Sequence, residues 1–450
     1  MESNPTFIRN LCQLYLAHNQ INPQSFDNDK IKRGLRNSDG TGVVAGVTLI
    51  GNVHGYLLNE GEKMPVEGKL TYRGIDVEEI VTSCENENRF GFEEVAFLLL
   101  FGCLPTKSQL DEFLDILGEL RHLPENFTED MLIKAPSKDI MNKLAQATLA
   151  LYSYDGNPDD TSLENVLRQS MELIARFPII VAHAFQVKKR YYDMESMYIH
   201  FPKENLSTAE NFLRTIRPTK SYSMAEARLM DLALILHAEH GGGNNSAFAS
   251  RLLSSTGTDT YSAIAAAIGS LKGPKHGGAN SKVISMFTDI KVHVNNWHDD
   301  KEVRTYLMKI LNKEAGDRSG LIYGMGHAIY TLSDPRAILL KRSARKLAEE
   351  KGVLDEFMLI DAVERLTPDV MAEMKGDAKA ICANVDLYSG FVYQMLNIPQ
   401  ELYTAIFAIS RIVGWSAHRI EEITSCGRII RPAYKSIVPP SKYIPVDERK

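Results

Sequence analysis

Four histidines of this chain stand beside glycine, and three of them lie in breaks between helical segments. Gly273–Asn280 reads Gly-Pro-Lys-His-Gly-Gly-Ala-Asn around His276, His240 precedes Gly241-Gly242-Gly243, and His327 follows Gly324-Met325-Gly326. Pro274 stops whatever helix precedes it, and the glycines after His276 clear space for a ligand to approach closely. One such histidine is readily chance; three argue for a site. Asp386 lies within Ala383–Gly390, and three arginines sit where a ligand could meet them: Arg336 after Asp334-Pro335, Arg411 on a late helical segment, and Arg431 before Pro432. Histidine with a carboxylate suits general acid–base work, and guanidinium forks suit a two-point hold on carboxylates. There is no Gly-x-Ser-x-Gly elbow and no cysteine in a catalytic signature to act as nucleophile. The chemistry indicated is proton abstraction with polarised carbonyls, on a small anionic substrate.

Each residue alone also has an ordinary structural reading. His240 can end a helix and bind its last carbonyls, His276 can be a turn residue, Asp386 a cap, and Arg411 a snorkelling surface residue. His54, in a β-prone segment, reads as structural. Tyr323–His327 offers two glycines of a G-x-G-x-x-G pattern but lacks the third and follows no clear strand, so it is no dinucleotide signal. His237 and His240 are three apart rather than at the i, i+4 spacing of H-E-x-x-H, and no metal is expected. The combination carries the argument.

The elements that must position these residues are mostly helical. Ala225, Leu229, Leu232, Leu236 and His240 follow one helical face, with Gly241 expected to end the run. Thr260–Lys272 stops at Gly273-Pro274, while Asp299–Leu311 and Ala337–Lys351 are amphipathic with helical period. Leu402–Ile420 is a long apolar-periodic segment whose one internal weak point is Gly414. The exception lies between Gly42 and Tyr72, where Val43-Val44, Val47–Ile50 and Lys69–Tyr72 predict a small sheet. The Pro274 break and the Gly390 region are the best places for the chain to leave one domain and return. The expected fold is therefore mainly α: a large helical domain of residues 1–278 and 391–450, a smaller inserted helical domain of residues 279–390, and a small N-terminal β element.

The 450 residues are 44% hydrophobic and 24% charged, with a net charge of -6, ordinary for a globular protein and no basis for nucleic-acid binding. The five cysteines are scattered, with no C-x-x-C pair, which points to a reducing compartment. No apolar run reaches membrane-spanning length, and the first residues show no basic stretch leading into an apolar block, so the cytoplasm is expected and no membrane partner.

Together these segments resemble the citrate synthase family. The resemblance is carried by Pro65–Asp76, Leu98–Thr106, Leu206–Phe212, His237–Ala247, Gly273–Asn280, Tyr323–Arg336, Asn384–Gly390 and Arg411–Trp415, and so runs over most of the chain. It implies a mainly helical homodimer with its active site between the two domains, no tightly bound cofactor, and condensation of acetyl-CoA with oxaloacetate to citrate and CoA. It further implies that Asp386 removes a proton from the acetyl methyl, His276 donates to the thioester oxygen, and His327 polarises the ketone. His240, Arg336 and Arg411 would hold the oxaloacetate carboxylates, joined by Arg431 from the partner subunit. A neutral imidazole at His276 serves this chemistry best, and a helix starting near Ala279 is expected to depress its pKa.

Two positions depart from the family pattern: Gly241 stands where an acid often follows the first histidine, and Thr331 where animal-type members place an arginine that contacts CoA phosphate. Lys275 or Lys379 are candidates to replace that arginine. The nearest alternative is a 2-methylcitrate synthase using propionyl-CoA, since one methylene is worth only about 1–3 kcal/mol in a pocket. A catalytically inactive CoA-binding regulator and a nicotinamide-using oxidoreductase are the readings from other classes.

Overall fold

The structure, a computed structural model, describes residues 5–19, 21–26, 31–59, 62–375, 380–425 and 427–449. By internal contacts the chain falls into two units, Met1–Thr48 and Leu49–Lys450. Among its described residues the first holds helix α1 (Pro5–His18), two short 3-10 turns and a bridge between Arg36 and Gly42. The strand expected from Val43 to Ile50 is absent. Val44 and Val47 are exposed, and β-branched residues favour a strand only where a pleated partner surface buries one face.

The second unit opens with the sheet. Strands β1 (Gly51–Asn59) and β2 (Glu62–Tyr72) pair antiparallel with Gly51 opposite Tyr72 and His54 opposite Lys69, and β3 (Ile75–Asp76) adds to β2. Helices follow: α2 (Val77–Asn86), α3 (Phe92–Phe101), α4 (Lys107–Leu120), α5 (Ile140–Leu151), α6 (Leu163–Tyr192), α7 (Thr208–Ile216) and α8 (Met224–His237). After them come α9 (Asn245–Ser254), α10 (Thr260–Lys272), α11 (Ala279–His293), α12 (Asp300–Leu311), α13 (Pro335–Lys351), α14 (Leu354–Lys375), α15 (Val385–Met395) and α16 (Tyr403–Thr424). The architecture is mainly α, as the periodicity predicts.

Helix α16 is the central post. It packs against α3, α6, α8, α9 and α10, and Ile406, Ile409, Ile412, Val413 and Trp415 on it are fully buried. Each such side chain contributes roughly 1.5–3 kcal/mol of burial free energy. A second group, α11 to α15, packs largely on itself through the α11–α15, α12–α14 and α13–α15 contacts.

Most helix starts near the site carry a capping side chain, the chemistry that satisfies the orphan N–H groups of a first turn. Ser223 and Glu226 form a capping box on α8, and Asn244, Asp334 and Asn384 cap α9, α13 and α15. One boundary differs from expectation. Helix α8 ends at His237 rather than reaching His240, because Ala238 closes a tighter turn onto Ile235 and Gly241 takes a left-handed φ of 83°.

Candidate active site

His327 is positioned by a backbone zipper. Gly326 N–H donates to Cys382 O (2.8 Å), Asn384 N–H to Gly324 O (2.9 Å), and the Asn384 amide to Gly326 O (2.8 Å). Gly324 and Gly326 both have positive φ, and a Cβ on Gly324 would lie 3.0 Å from Leu387 Cα, so only glycine lets the loop lie against α15. The loop then folds back on itself. His327 Nδ1 accepts from the N–H of Ile329 (3.1 Å) and of Tyr330 (3.2 Å), which in the neutral ring leaves the hydrogen on Nε2. Tyr330 stacks on the same ring at 4.7 Å. Burial, aided by the Arg336 charge, pushes the His327 pKa down to about 4. The result is a neutral imidazole with a fixed Nε2–H donor, suited to polarising a carbonyl.

His240 meets His327 edge to face at 5.2 Å, and its buried Nε2 has no hydrogen-bond partner. Burial first, then Arg336, holds its pKa well below the usual imidazole value. Arg336, only 4% exposed, donates through Nε and Nη2 to Asp334 at 3.0 and 2.7 Å. Asp334 overcomes the effect of burial and keeps the guanidinium charged. Arg411 is fully buried on α16, with Nε donating to His237 O at 2.6 Å and Phe407 beneath its guanidinium at 4.7 Å. Among the described residues its Nη1 and Nη2 have no hydrogen-bond partner. Burial lowers its pKa to about 10, which leaves it a cation at neutral pH. Buried polar groups are nearly always paired, so unpaired nitrogens on Arg411, His240 and His237 together mark a place built for an anionic, oxygen-rich ligand.

Asp386 sits in the first turn of α15, half-buried, its N–H capped by Asn384. Burial raises its pKa to about 6, with Arg336 opposing and Asp334 reinforcing, so it is a carboxylate at neutral pH yet a better base than a surface aspartate. His276 lies just before α11. Its Nε2 is 3.1 Å from Asn244 Oδ1 and 3.2 Å from Ser246 Oγ, and Trp415 donates to that same hydroxyl at 3.0 Å. Asn244 Oδ1 can only accept, and the Ser246 hydroxyl also donates to it at 2.9 Å, so this arrangement places the ring hydrogen on Nε2; turning the Ser246 hydroxyl onto Nε2 would move that hydrogen to Nδ1. The segments carrying these two residues are tied together, since Asn280 on the first turn of α11 donates to Ser389 on α15.

The structure thus gathers these groups around the two arginines: Arg336 acts on His240, His327 and Asp386, and Arg411 acts on His240 and His276. The His276 pKa falls to about 4, from burial first and then the Arg411 charge. One expectation about His276 needs correction. The glycines after it clear room for the chain itself: a Cβ on Gly277 would lie 2.3 Å from Leu271 O and one on Gly278 2.6 Å from Pro274 O. Arg431 is exposed in the extended segment after α16 and makes no contact with the cluster in this chain. Lys275 is exposed, Thr331 is pinned on Gly55 O at 3.3 Å, and Lys379 lies outside the described residues. His54 stays in β1. Sequence reading missed Asp334, Tyr330, His237 and Glu239 as parts of the site; only Asp334 carried a local signal, an aspartate before Pro335 at a helix start.

The fold and this cluster place the chain in the citrate synthase family, a family of acyltransferases: the family model "Citrate synthase, C-terminal domain" matches residues 39–433. Among its relatives is the citrate synthase of Synechocystis sp., 32% identical over 431 residues, which cover 95% of this chain and 96% of that protein. The 2-methylcitrate synthase of Shewanella oneidensis is 34% identical over 382 residues, 84% and 92% of the two chains. The citrate synthase of Thermoplasma acidophilum, solved as a ternary complex with carboxymethyl coenzyme A and oxaloacetate, superposes with a TM-score of 0.75 at 28% identity, over 94% of this chain and all of that one.

Proposed function

We propose that the protein condenses acetyl-CoA with oxaloacetate and water to give citrate and free CoA. The observation that carries this is Arg411, a fully buried guanidinium whose Nη1 and Nη2 are unpaired, acting on His240, whose ring meets a neutral His327 with its hydrogen on Nε2. That pairing suits a carboxylate and a ketone oxygen on one small molecule. His240, Arg336 and Arg411 hold the carboxylates, and His327 Nε2–H donates to the ketone oxygen. Asp386 takes a proton from the acetyl methyl while His276 donates to the thioester oxygen, so that the enol forms without a free carbanion. The new carbon–carbon bond gives citryl-CoA, which water then cleaves to citrate and CoA.

The domain division of residues 1–278 with 391–450 against 279–390 belongs to this reading, with the substrate between them; the self-packing of α11 to α15 supports it. A homodimer in which Arg431 completes the partner's site and a cytoplasmic setting are also part of this proposal. The Thermoplasma acidophilum complex supports the choice of substrates. A second reading, 2-methylcitrate synthesis from propionyl-CoA, is favoured by the similar identity to relatives of both names. Thiol release from acetyl-CoA and from propionyl-CoA, each with oxaloacetate, decides between them: the larger kcat/KM for acetyl-CoA is expected, and a preference for propionyl-CoA overturns it. Release must require oxaloacetate and nearly vanish in Asp386→Asn; activity retained in that variant removes Asp386 from its role.

A further inference from the structure

Arg336 and Arg411 share a task but differ in how their charge is balanced. Arg336 is bound at two points by Asp334, whereas Arg411 has no hydrogen-bonded carboxylate. The carboxylate it feels most is Glu239, immediately before His240 and fully buried. Glu239 Oε1 is occupied by Gly241 N–H at 2.6 Å and His418 Nε2 at 2.8 Å, and its Oε2 has no hydrogen-bond partner.

Much of the neighbourhood exists to admit this carboxylate. A Cβ on Gly414 would lie 2.4 Å from Glu239 Oε2, and one on Gly51 2.9 Å from its Cγ. His418 is braced from behind, since Arg251 Nε donates to its Nδ1 at 3.1 Å and so leaves Nε2–H facing Glu239. Glu421 and Glu422 in turn hold Arg251. The carboxylate can therefore neither swing onto Arg411 nor retreat to solvent. Its field offsets the guanidinium charge while the Nη1 and Nη2 donors stay available.

We propose that Glu239 is a positioning residue that sets how tightly Arg411 holds a substrate carboxylate, loosening the grip enough for a more highly charged product to leave. The inference rests on the oxaloacetate reading above. In water-poor surroundings a fixed negative charge behind a cation subtracts directly from the attraction it exerts on an incoming anion. A carboxylate whose contribution is packing alone would not have this effect.

The test is calorimetric titration of oxaloacetate into the wild-type protein, Glu239→Gln and Glu239→Asp, with melting curves alongside. In Glu239→Gln the Kd should fall about tenfold, and the ligand-induced rise in Tm should exceed that of wild type although the ligand-free Tm is lower. Glu239→Asp, which keeps the charge, should stay within about threefold of wild type. An unchanged or weaker Kd in Glu239→Gln, or equal tightening in Glu239→Asp, overturns the proposal. If Glu239→Gln does not fold alone, refolding with oxaloacetate decides: recovery with ligand supports the proposal, and no recovery either way overturns it in favour of packing. Wild-type protein that fails to bind oxaloacetate would instead overturn the functional reading itself.

Discussion

Asp334 holds Arg336 with both carboxylate oxygens, at 3.0 and 2.7 Å, while the same side chain caps helix α13. Both groups are nearly inaccessible to solvent, so removing one leaves the other charged, buried and unpaired. Breaking a buried pair in this way costs roughly 3–5 kcal/mol. Asp334→Ala and Arg336→Ala should therefore both lower Tm and raise KM for oxaloacetate, with the larger fall in Tm for Asp334→Ala because it also loses the α13 cap. Melting curves and initial rates check both.

His327 donates through Nε2 because Nδ1 is spent on the backbone of Ile329 and Tyr330. His327→Gln should lower kcat by roughly 10²–10³, the usual loss when one donor to a developing oxyanion is removed. Tyr330→Phe should leave kcat unchanged and Tm equal or higher, since the buried Tyr330 hydroxyl has no hydrogen-bond partner and only the ring stacks on His327. A large loss of kcat in Tyr330→Phe would show that the hydroxyl touches substrate.

The acid–base residues predict a particular pH profile. Asp386, pushed up to about 6 by burial, must be deprotonated to act as base, so kcat/KM should rise with pH through about 6 and then level. His276 and His327, pushed down to about 4, stay neutral throughout and add no limb above pH 5. Stability follows the opposite groups. Above pH 6.5 these histidines are neutral whether folded or not, but between about 6.5 and 4 the unfolded chain binds their protons and the folded one does not. Tm should thus fall on acidification through that window, less so in His276→Gln or His327→Gln.

Gly414 tests the packing around Glu239. Alanine usually stabilises a helix interior by up to about 1 kcal/mol relative to glycine. Here a Cβ would meet Glu239 Oε2 at 2.4 Å and Ala238 O at 2.5 Å. Gly414→Ala should instead destabilise, by roughly the 1–3 kcal/mol of an overpacked core, and thermal denaturation will show which effect wins.

How much of this was legible beforehand depended on the range of the interaction. Thr260–Lys272 is legible to the residue because its alanine richness and its stop at Gly273-Pro274 are local, and the structure adds an equally local N-cap in Asp259. The glycine-flanked histidines were legible for the same reason, though Gly277 and Gly414 serve contacts with backbone and side chains distant in sequence. Val43–Ile50 misled because β propensity is only an aptitude for a half-buried surface, and that surface is missing. Glu239–His418 and Arg251–Glu422 join residues 179 and 171 positions apart, which no spacing rule links. Tyr330 escaped notice because an aromatic in a polar loop looks like any other turn residue until its ring lies on His327.

Asn244, Asp334 and Asn384 each finish a helix and each also touch a working part: His276, Arg336 and the carbonyl of Gly326. The first turns of α9, α13 and α15 are therefore the molecule's fuses. Helix ends fray before helices melt, so on gentle heating the cluster should disassemble while most of the circular-dichroism signal persists. Heat inactivation measured by turnover would then run several degrees below the melting curve, and ligands that seat against these three starts would close the gap.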